Sequence, residues 1–443
     1  MDEKDRRIAE LETLLIKALE RIIELERRLG QNSTNSSKPP SSDGFRKKPS
    51  PKSLRMTGQN PSGGQKGHKG HTLDRVEAPD KIVIHGVETC HGCQKSLADI
   101  PVSKRTSRQV IDIPQPHIEV TEHQIETKIC SCGCANMGLF PKGVTAPVQY
   151  GERISALAVY LSVQQLIPED RLQTLFADVF ELNIATATLV GIQERFSETV
   201  SGQVEATLAE IKVSAVKHLD ETSLRIAGKT QWLHVICTPV GTHYRISEKR
   251  GHLLDGVLGT IIHDHWKPYF KMSQVQHALC NAHLLRELKA LEEDHEAWAF
   301  NMSALLRTIS HLCKTDMSTH PQSLKDLADI YDEIVSEGFT FHNSKYPFLK
   351  SARGRQKRHK GHNLLIRFRD FKVAILRCLT DFSVPFTNNL AEQDIRMMKV
   401  KQKISGAFRT LQGAQIFCTI RSFISTQRKL NHNLFRSIQL ALA

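Results

Sequence analysis

Three carboxylates sit in motifs whose residue types suit metal-dependent phosphodiester chemistry. Asp220 lies in Val216-Lys217-His218-Leu219-Asp220-Glu221-Thr222, and Asp264 in Thr260-Ile261-Ile262-His263-Asp264-His265-Trp266. Glu392 lies in Pro385-Phe386-Thr387-Asn388-Asn389-Leu390-Ala391-Glu392-Gln393-Asp394-Ile395-Arg396. Each aspartate falls at or near the end of a short apolar run prone to β structure, and the glutamate follows a turn that opens a helix. Asn388 or Asn389 is the expected N-cap, with Leu390, Ile395 and Met398 as a buried stripe. Glu392 then occupies the first helical turn, where a carboxylate suits the helix dipole. Two acids from strands and one from a helix form the kind of site that holds two magnesium ions, or manganese in their place. In such a site one ion activates water, or later a freed 3′-hydroxyl, and the other stabilises the leaving 3′-oxygen of an in-line displacement.

A second metal-ligating pattern lies upstream. Five of the ten cysteines fall between Cys90 and Cys134. Cys90-x-x-Cys93 has the spacing of a knuckle, and Cys130-Ser131-Cys132-Gly133-Cys134 offers three thiols for a second pair. In a reducing compartment such clustering points to a metal rather than disulfides. The expectation is one structural zinc per chain, held by Cys90, Cys93 and two of Cys130, Cys132 and Cys134, with no open coordination position. Cys237, Cys313, Cys378 and Cys418 are most simply core residues. Farther on, Cys280-Asn281-Ala282-His283-Leu284-Leu285-Arg286-Glu287 places His283 and Glu287 one helical turn apart. That pair can ligate a metal, although most such pairs serve packing or a local ion pair.

The elements that must position these groups are legible in turn. Residues 4–29 carry a seven-residue repeat with Ile8, Leu15, Ile22 and Leu29 at a and Leu11, Ala18 and Leu25 at d, a pattern that favours a parallel dimer. The polar linker that follows argues against a helix packed on its own body. Residues 31–73 read as disordered, with eight Lys or Arg between Lys38 and Lys69 against the single acid Asp43. Lys47, Lys48, Lys66 and Lys69 are the expected phosphate contacts there, helped by the glycine-rich run Gly63 to Gly70. Between the cysteine pairs, Val110 to Ile125 alternates as β-strands do.

Residues 150–200 form helices, with Ile154, Leu157, Ala158 and Leu161 on one face, and a pair around a short turn could be a helix-turn-helix. Strands are expected at Val216–Leu224, Trp232–Thr238, His243–Ile246 and Leu258–His263, placing Asp220 and Asp264 on neighbouring strands of a mixed sheet. Residues 274–380 read as mostly amphipathic helix, ending in a basic stretch, Arg353 to Lys360. Beyond Glu392, the cations Arg396, Lys399, Lys403 and Arg409 suit phosphate contacts, with the carboxylate on one side of the helix and the cations on another.

The chain thus reads as a multidomain α+β protein. The expected parts are a coiled-coil helix at 1–30, a basic linker at 31–79 and a small zinc-binding β domain at 80–142. A helical DNA-binding domain at 143–212 follows, then a catalytic domain at 213–430 with a helical insertion at about 270–380, and a tail at 431–443. The net charge is +13 over 443 residues, which points to a polyanion, nucleic acid being the commonest. No apolar run approaches a membrane span of roughly 20 residues, and the N-terminus is charged rather than signal-like. A cytoplasmic, nucleoid-associated protein is expected.

In order along the chain, the zipper, Asn35-Ser36-Ser37-Lys38-Pro39-Pro40-Ser41, Gly63-Gly64-Gln65-x-Gly67-His68 and the cysteine knuckles precede His218-Leu219-Asp220-Glu221-Thr222. Trp232-Leu233-His234-Val235, Cys280-Asn281-Ala282-His283, Phe386-Thr387-Asn388-Asn389-x-Ala391-Glu392-x-x-Ile395-Arg396 and Gly406-x-Phe408-Arg409 follow. With these motifs the chain resembles, nearly end to end, bacterial transposases of the insertion-sequence-66 family. The resemblance implies a DDE transposase with a ribonuclease-H-like catalytic domain, in which Asp220, Asp264 and Glu392 match the catalytic, metal-binding acids. Asp264, with Tyr269 behind it, is the least distinctive match, and the second cysteine knuckle departs from regular spacing. The helical stretch before Glu392 would be an insertion that such enzymes tolerate. DNA element ends and target DNA, a homodimer or larger assembly, and accessory proteins of the element are the implied partners. Two other readings stay open: a zinc-containing dimeric DNA-binding regulator with an inactive nuclease fold, and a nuclease of the same fold that does not join.

Overall fold

Short runs of consecutive buried residues from Val216 onward build a sheet, and longer apolar stripes before and after it in the chain build helices. In the computed structural model, residues 73–314, 321–346 and 358–443 are described, with Arg21, Ile22, Leu25, Glu26, Leu29, Gln31, Asn35, Ser36 and Gly67 before them. Two compact units result, Ser50–Ile118 and the combination of Met1–Pro49 with Glu119–Ala443. Most of the heptad helix and of the basic linker, including Lys47, Lys48, Lys66 and Lys69, lies outside the described residues. Ile22, Leu25 and Leu29 are described, helical and exposed.

In the unit Ser50–Ile118, the turn at Cys90 is closed by an isolated antiparallel bridge between Thr89 and Ser96. The Gln109 side chain pairs with the Val76 backbone through both its oxygen (2.9 Å) and its nitrogen (2.7 Å). The strands expected over Val110–Ile125 do not form. Val110, Ile113 and Val120 are 91%, 84% and 87% exposed, and alternation stabilises a strand only where one face is buried against a partner.

The larger unit opens with a hairpin of β1 (Thr127–Ile129) and β2 (Ala135–Met137). Helices α1 (Glu152–Val159, continued by a π-turn to Gln164), α2 (Glu169–Phe180) and α3 (Thr186–Val213) lead into the main sheet. Its strands are β3 (Val216–Ile226), β4 (Lys229–Cys237), β5 (Thr242–Ser247), β6 (Gly259–His263) and β7 (Val275–Leu279), in the order β5-β4-β3-β6-β7. The first three form an antiparallel meander, while β6 and β7 add parallel to β3. Strand β7 falls where the periodicity suggests helix, because a five-residue strand is too short to display a period against the helix that follows it.

Among the described residues, six helices come next: α4 (Asn281–Glu293), α5 (Ala297–Leu312), α6 (Pro321–Lys345), α7 (Lys360–Asp370), α8 (Lys372–Ile375) and α9 (Arg377–Thr380). They surround a hydrophobic cluster of their own, with Leu288, Trp298, Leu306, Tyr331 and Phe368 at its centre. The chain then returns to the sheet with α10 (Asn389–Ser405), α11 (Leu411–Lys429) and α12 (Leu434–Leu442). Within residues 431–443, expected as a tail, Leu434–Leu442 thus form a helix that buries Ile438. Helices α1, α2, α3, α10, α11 and α12 share one core with β3, β4 and β5, through contacts such as Phe196 against Phe423 at 5.6 Å.

Strand β5 is an edge, and an edge leaves backbone donors unpaired. Helix α11 meets two of them: Tyr244 N donates to Ser422 Oγ (2.9 Å) and Thr242 N to Thr426 Oγ1 (3.1 Å). At the start of β6, Gly259 has φ +76°, and an added Cβ would lie 2.7 Å from the Ala215 carbonyl oxygen. That crowding follows from the bond Thr260 N→Ala215 O (2.8 Å), which sets the register of β6 on β3. Gly228, in the β3–β4 turn, also has φ +76° but open space around it. Gly228→Ala is therefore expected to cost about 1 kcal/mol and Gly259→Ala about 2 kcal/mol or more, read by urea unfolding. Equal costs at the two positions would show that the close approach at Gly259 is not holding the β6 register.

Candidate active site

The register of the parallel pair decides where the two aspartates lie. Val216 pairs with Thr260 and His218 with Ile262, so the same offset carried two residues farther brings Asp220 level with Asp264. Asp220 Oδ1 accepts from the Glu221 amide (2.9 Å), and Asp264 Oδ1 accepts from the Trp266 amide just past the end of β6 (2.9 Å). Glu392 arrives on the first turn of α10. Ala391, Ile395 and Met398 bury the face of that helix flanking Glu392, with Leu390 partly buried.

Asn388 precedes α10 as expected of an N-cap, but its side chain makes no capping bond. It spans the seam to β3 instead: Oδ1 lies 2.9 Å from His218 Nδ1, and Nδ2 donates to Leu219 O (2.7 Å). Its backbone N–H donates to Cys280 Sγ (3.1 Å). Two residues past Glu392, Asp394 Oδ2 accepts from Lys429 Nζ (2.7 Å) and Thr242 Oγ1 (2.9 Å). The helix carrying the third acid is thus tied down on both sides of Glu392.

The three carboxylates lie within range of one another's charge. Burial raises the Asp220 carboxyl well above its usual range, and the charges of Glu221, Asp264 and Glu392 push it further. Asp264 is raised by burial and then by Glu392, against the pull of the Trp266 amide and Arg250. Glu221 is a fourth acid of the cluster, missed as a functional candidate although the motif holds it. Its buried carboxylate accepts from Arg250 Nε (2.8 Å) and Nη2 (2.5 Å) and from the Tyr269 hydroxyl. Arg250 in turn lies over Trp266 (4.2 Å) and Trp232 (5.1 Å). Local sequence gives no sign of Arg250, because only the sheet brings its loop to the site.

Cys280 and His283 complete the surroundings of Glu392. Cys280 Sγ lies 3.6 Å and His283 Nδ1 3.8 Å from Glu392 Oε1, and their ligand atoms fall within 4.8 Å of one another. Burial pushes the thiol up to about 12 and the imidazole down to about 3, so both are neutral near pH 7. His283 therefore turns towards Glu392, whereas Glu287 pairs with Arg367 through both carboxylate oxygens. The two residues one turn apart thus make different polar contacts. Together with Asp264, His265, Trp266 and Arg367 they line a cavity of about 210 Å³ beside the acids.

The expected separation of carboxylate and cations on α10 is corrected by helical geometry. Residues 392, 396, 399 and 403 recur at steps of four, three and four and so share one face. Arg396, Lys403 and Arg409 are exposed, while Lys399 donates to Ser223 O (3.0 Å) and senses the Asp220 charge.

Both cysteine pairs form tight turns. Cys90 N donates to Lys95 O and Gln94 N to Cys90 O (both 2.9 Å), and the Cys93 amide chiefly lowers the Cys90 thiol. Cys130 N donates to Cys134 O (2.8 Å), and the Cys132 amide chiefly lowers the Cys130 thiol.

Crowded carboxylates fit a divalent cation, which matches their oxygen donors and offsets their repulsion. The sign of the Asp220 shift gives a test. Its folded-state pKa is raised, so its contribution to stability is full at acid pH and is lost as pH rises through that raised value. Metal-free Asp220→Asn protein is expected to melt above the parent at neutral pH, with the gap closing towards acid. Millimolar magnesium or manganese is expected to raise the parent's melting temperature and move the variant's much less. Scans with and without metal at several pH values check this, and identical responses of the two proteins would remove Asp220 from a cation site.

Comparison with known proteins bears on the same region. No curated protein matches the chain significantly. A model of a family of unknown function matches residues 1–74. The model of the transposase IS66 family matches residues 147–416, which span all three acids and most of the chain's length. The chain belongs to the transposase IS66 family.

Proposed function

We propose that the protein is a DDE transposase that binds the ends of an insertion sequence, cleaves them and joins them to target DNA. The observation that carries this reading is that Asp220, on β3, and Asp264, immediately past the end of its parallel neighbour β6, lie within range of each other's charge and of Glu392, on a helix tied to β3. The five-stranded mixed sheet supports a ribonuclease-H-like catalytic domain, with helices α4 to α9 as the insertion before the last acid.

In this reading Asp220, Asp264 and Glu392 hold two divalent ions, magnesium or manganese, which when bound supply Lewis acidity at the attacking and leaving oxygens. The protein's own groups do the positioning. Asn388 and the Asp394–Lys429 pair set the angle at which Glu392 faces the aspartates. Arg250, fixed by Glu221 and two indoles, offers a guanidinium to a phosphate at the edge of the acidic cluster. Arg396, Lys399, Lys403 and Arg409 line the approach along α10 and the loop after it, as a stripe for a DNA backbone. Residues 31–73 add Lys47, Lys48, Lys66 and Lys69 as contacts made without sequence preference.

The exposed Ile22, Leu25 and Leu29 support a dimer made through the N-terminal heptads. The lowered thiols of Cys90 and Cys130 support structural zinc at the cysteine knuckles.

Glu392→Gln keeps the side chain's size and removes one charge from the site. It is expected to abolish both cleavage and strand transfer, at least a hundredfold, while leaving binding to element ends largely intact. Removal of residues 31–73 is expected to weaken DNA binding and flatten its salt dependence. An end-binding assay beside a strand-transfer assay, each with magnesium, makes the comparison. Joining by the Glu392→Gln protein at the parental rate would sink the mechanism, and cleavage without joining by the parent would favour a nuclease.

A further inference from the structure

Away from the acids, the helical cluster contains a buried set of ligand-bearing side chains that the proposed chemistry does not use. Glu296 immediately precedes α5, His342 lies in the last turns of α6, and His359 immediately precedes α7. Glu296 and His342 are each 1% exposed. Glu296 Oε2 accepts from Trp298 Nε1 (2.8 Å) and lies 3.0 Å from His342 Nε2. Its other oxygen, Oε1, has no hydrogen-bond partner among the described residues and lies 3.9 Å from His359 Nδ1. That nitrogen accepts from the Gly361 amide (3.2 Å), leaving Nε2 of the ring outside this cap. The three ligand atoms all lie within 4.8 Å of one another.

A fully buried carboxylate is costly unless a positive charge stands beside it. Among the described residues, the ion-pair partners of Glu296 are two imidazoles rather than a lysine or an arginine. Spacing points the same way. Zinc bonds of about 2.0–2.2 Å in tetrahedral geometry set ligand atoms roughly 3.3–3.6 Å apart. The 3.0 Å from Oε2 to His342 and the 3.9 Å from Oε1 to His359 lie close to that range, one on each oxygen of the carboxylate.

The backbone makes room for this arrangement. A Cβ on Gly361 would fall 2.4 Å from His342 Nε2 and 3.0 Å from Glu296 Oε2, so the first turn of α7 closes directly over the pair. On the outer side the Tyr346 ring stacks on His359 at 4.3 Å, which restrains that imidazole.

We propose that Glu296, His342 and His359 bind one divalent transition-metal ion, zinc by the chemistry of the donors, as a staple joining α5, α6 and α7. Two imidazoles and one carboxylate are a known zinc donor set, and a water molecule would fill the fourth position. The site shares no residue with the carboxylate site or the cysteine knuckles.

The test uses the full-length chain and two variants. Glu296→Gln keeps the size and the acceptor for Trp298, and His359→Ser keeps a good helix N-cap. Each protein is equilibrated with limiting buffered zinc, its metal content is measured, and circular dichroism confirms its fold. Both variants are expected to hold one zinc fewer per chain than the parent, with affinity at this site lowered roughly tenfold or more. A strong chelator should also lower the melting temperature of the parent beyond any change in the variants. If one variant fails to fold, the other decides. Equal zinc content in the parent and a folded variant would overturn the proposal and leave a buried hydrogen-bonded Glu–His cluster.

Discussion

The side-chain amide of Asn388 is the interaction on which the candidate site depends. It joins the start of α10 to β3 across 169 residues of sequence, at Leu219, immediately before Asp220. A buried amide is stable only when its donors and acceptors are met, and here the His218 ring and the Leu219 carbonyl meet them. Because those partners belong to β3, the helix cannot shift without leaving polar groups unpaired in the core. Asp394 repeats the constraint from the far side of Glu392, through Lys429 and Thr242. Two short-range polar ties therefore set a geometry that the hydrophobic core, being non-directional, would leave loose.

What these ties hold together is electrostatically unfavourable. Asp220, Glu221 and Asp264 are all raised by burial, and each also feels at least one neighbouring carboxylate. Only part of that charge is offset from within the protein, by Arg250 on Glu221 and by Lys399 near Asp220. A surplus of buried negative charge lowers stability, and such surpluses collect where a cation has to bind. The neutral thiol of Cys280 and the neutral imidazole of His283 add little to the repulsion around Glu392. The rigid sheet and the tied helix bear the strain that a flexible scaffold would relieve by spreading the acids apart.

Much of this was legible locally. The strands β3 to β6 follow their apolar runs to within two residues at most ends, and Glu392 stands in the first turn of its helix. The side-chain roles were less accessible. Asn388 reads as a cap, yet its side chain bonds across the seam; His283 and Glu287 read as a pair, yet they face different partners. The strands expected over Val110–Ile125 fail for a related reason, since alternation describes a face and not what covers it.

The sequence by itself determined which acids exist, their order and the local element that carries each, because helix and strand periods depend on residues a few positions apart. Family membership belongs to that level too, being carried by ordered motifs. The tertiary structure alone decided that Asp220 lies within range of the Asp264 and Glu392 charges and that Arg250 reaches Glu221. It alone gathered Glu296, His342 and His359 from three helix ends. Such contacts join residues tens to hundreds of positions apart, and their pairing follows from strand register and helix packing, which no local period encodes.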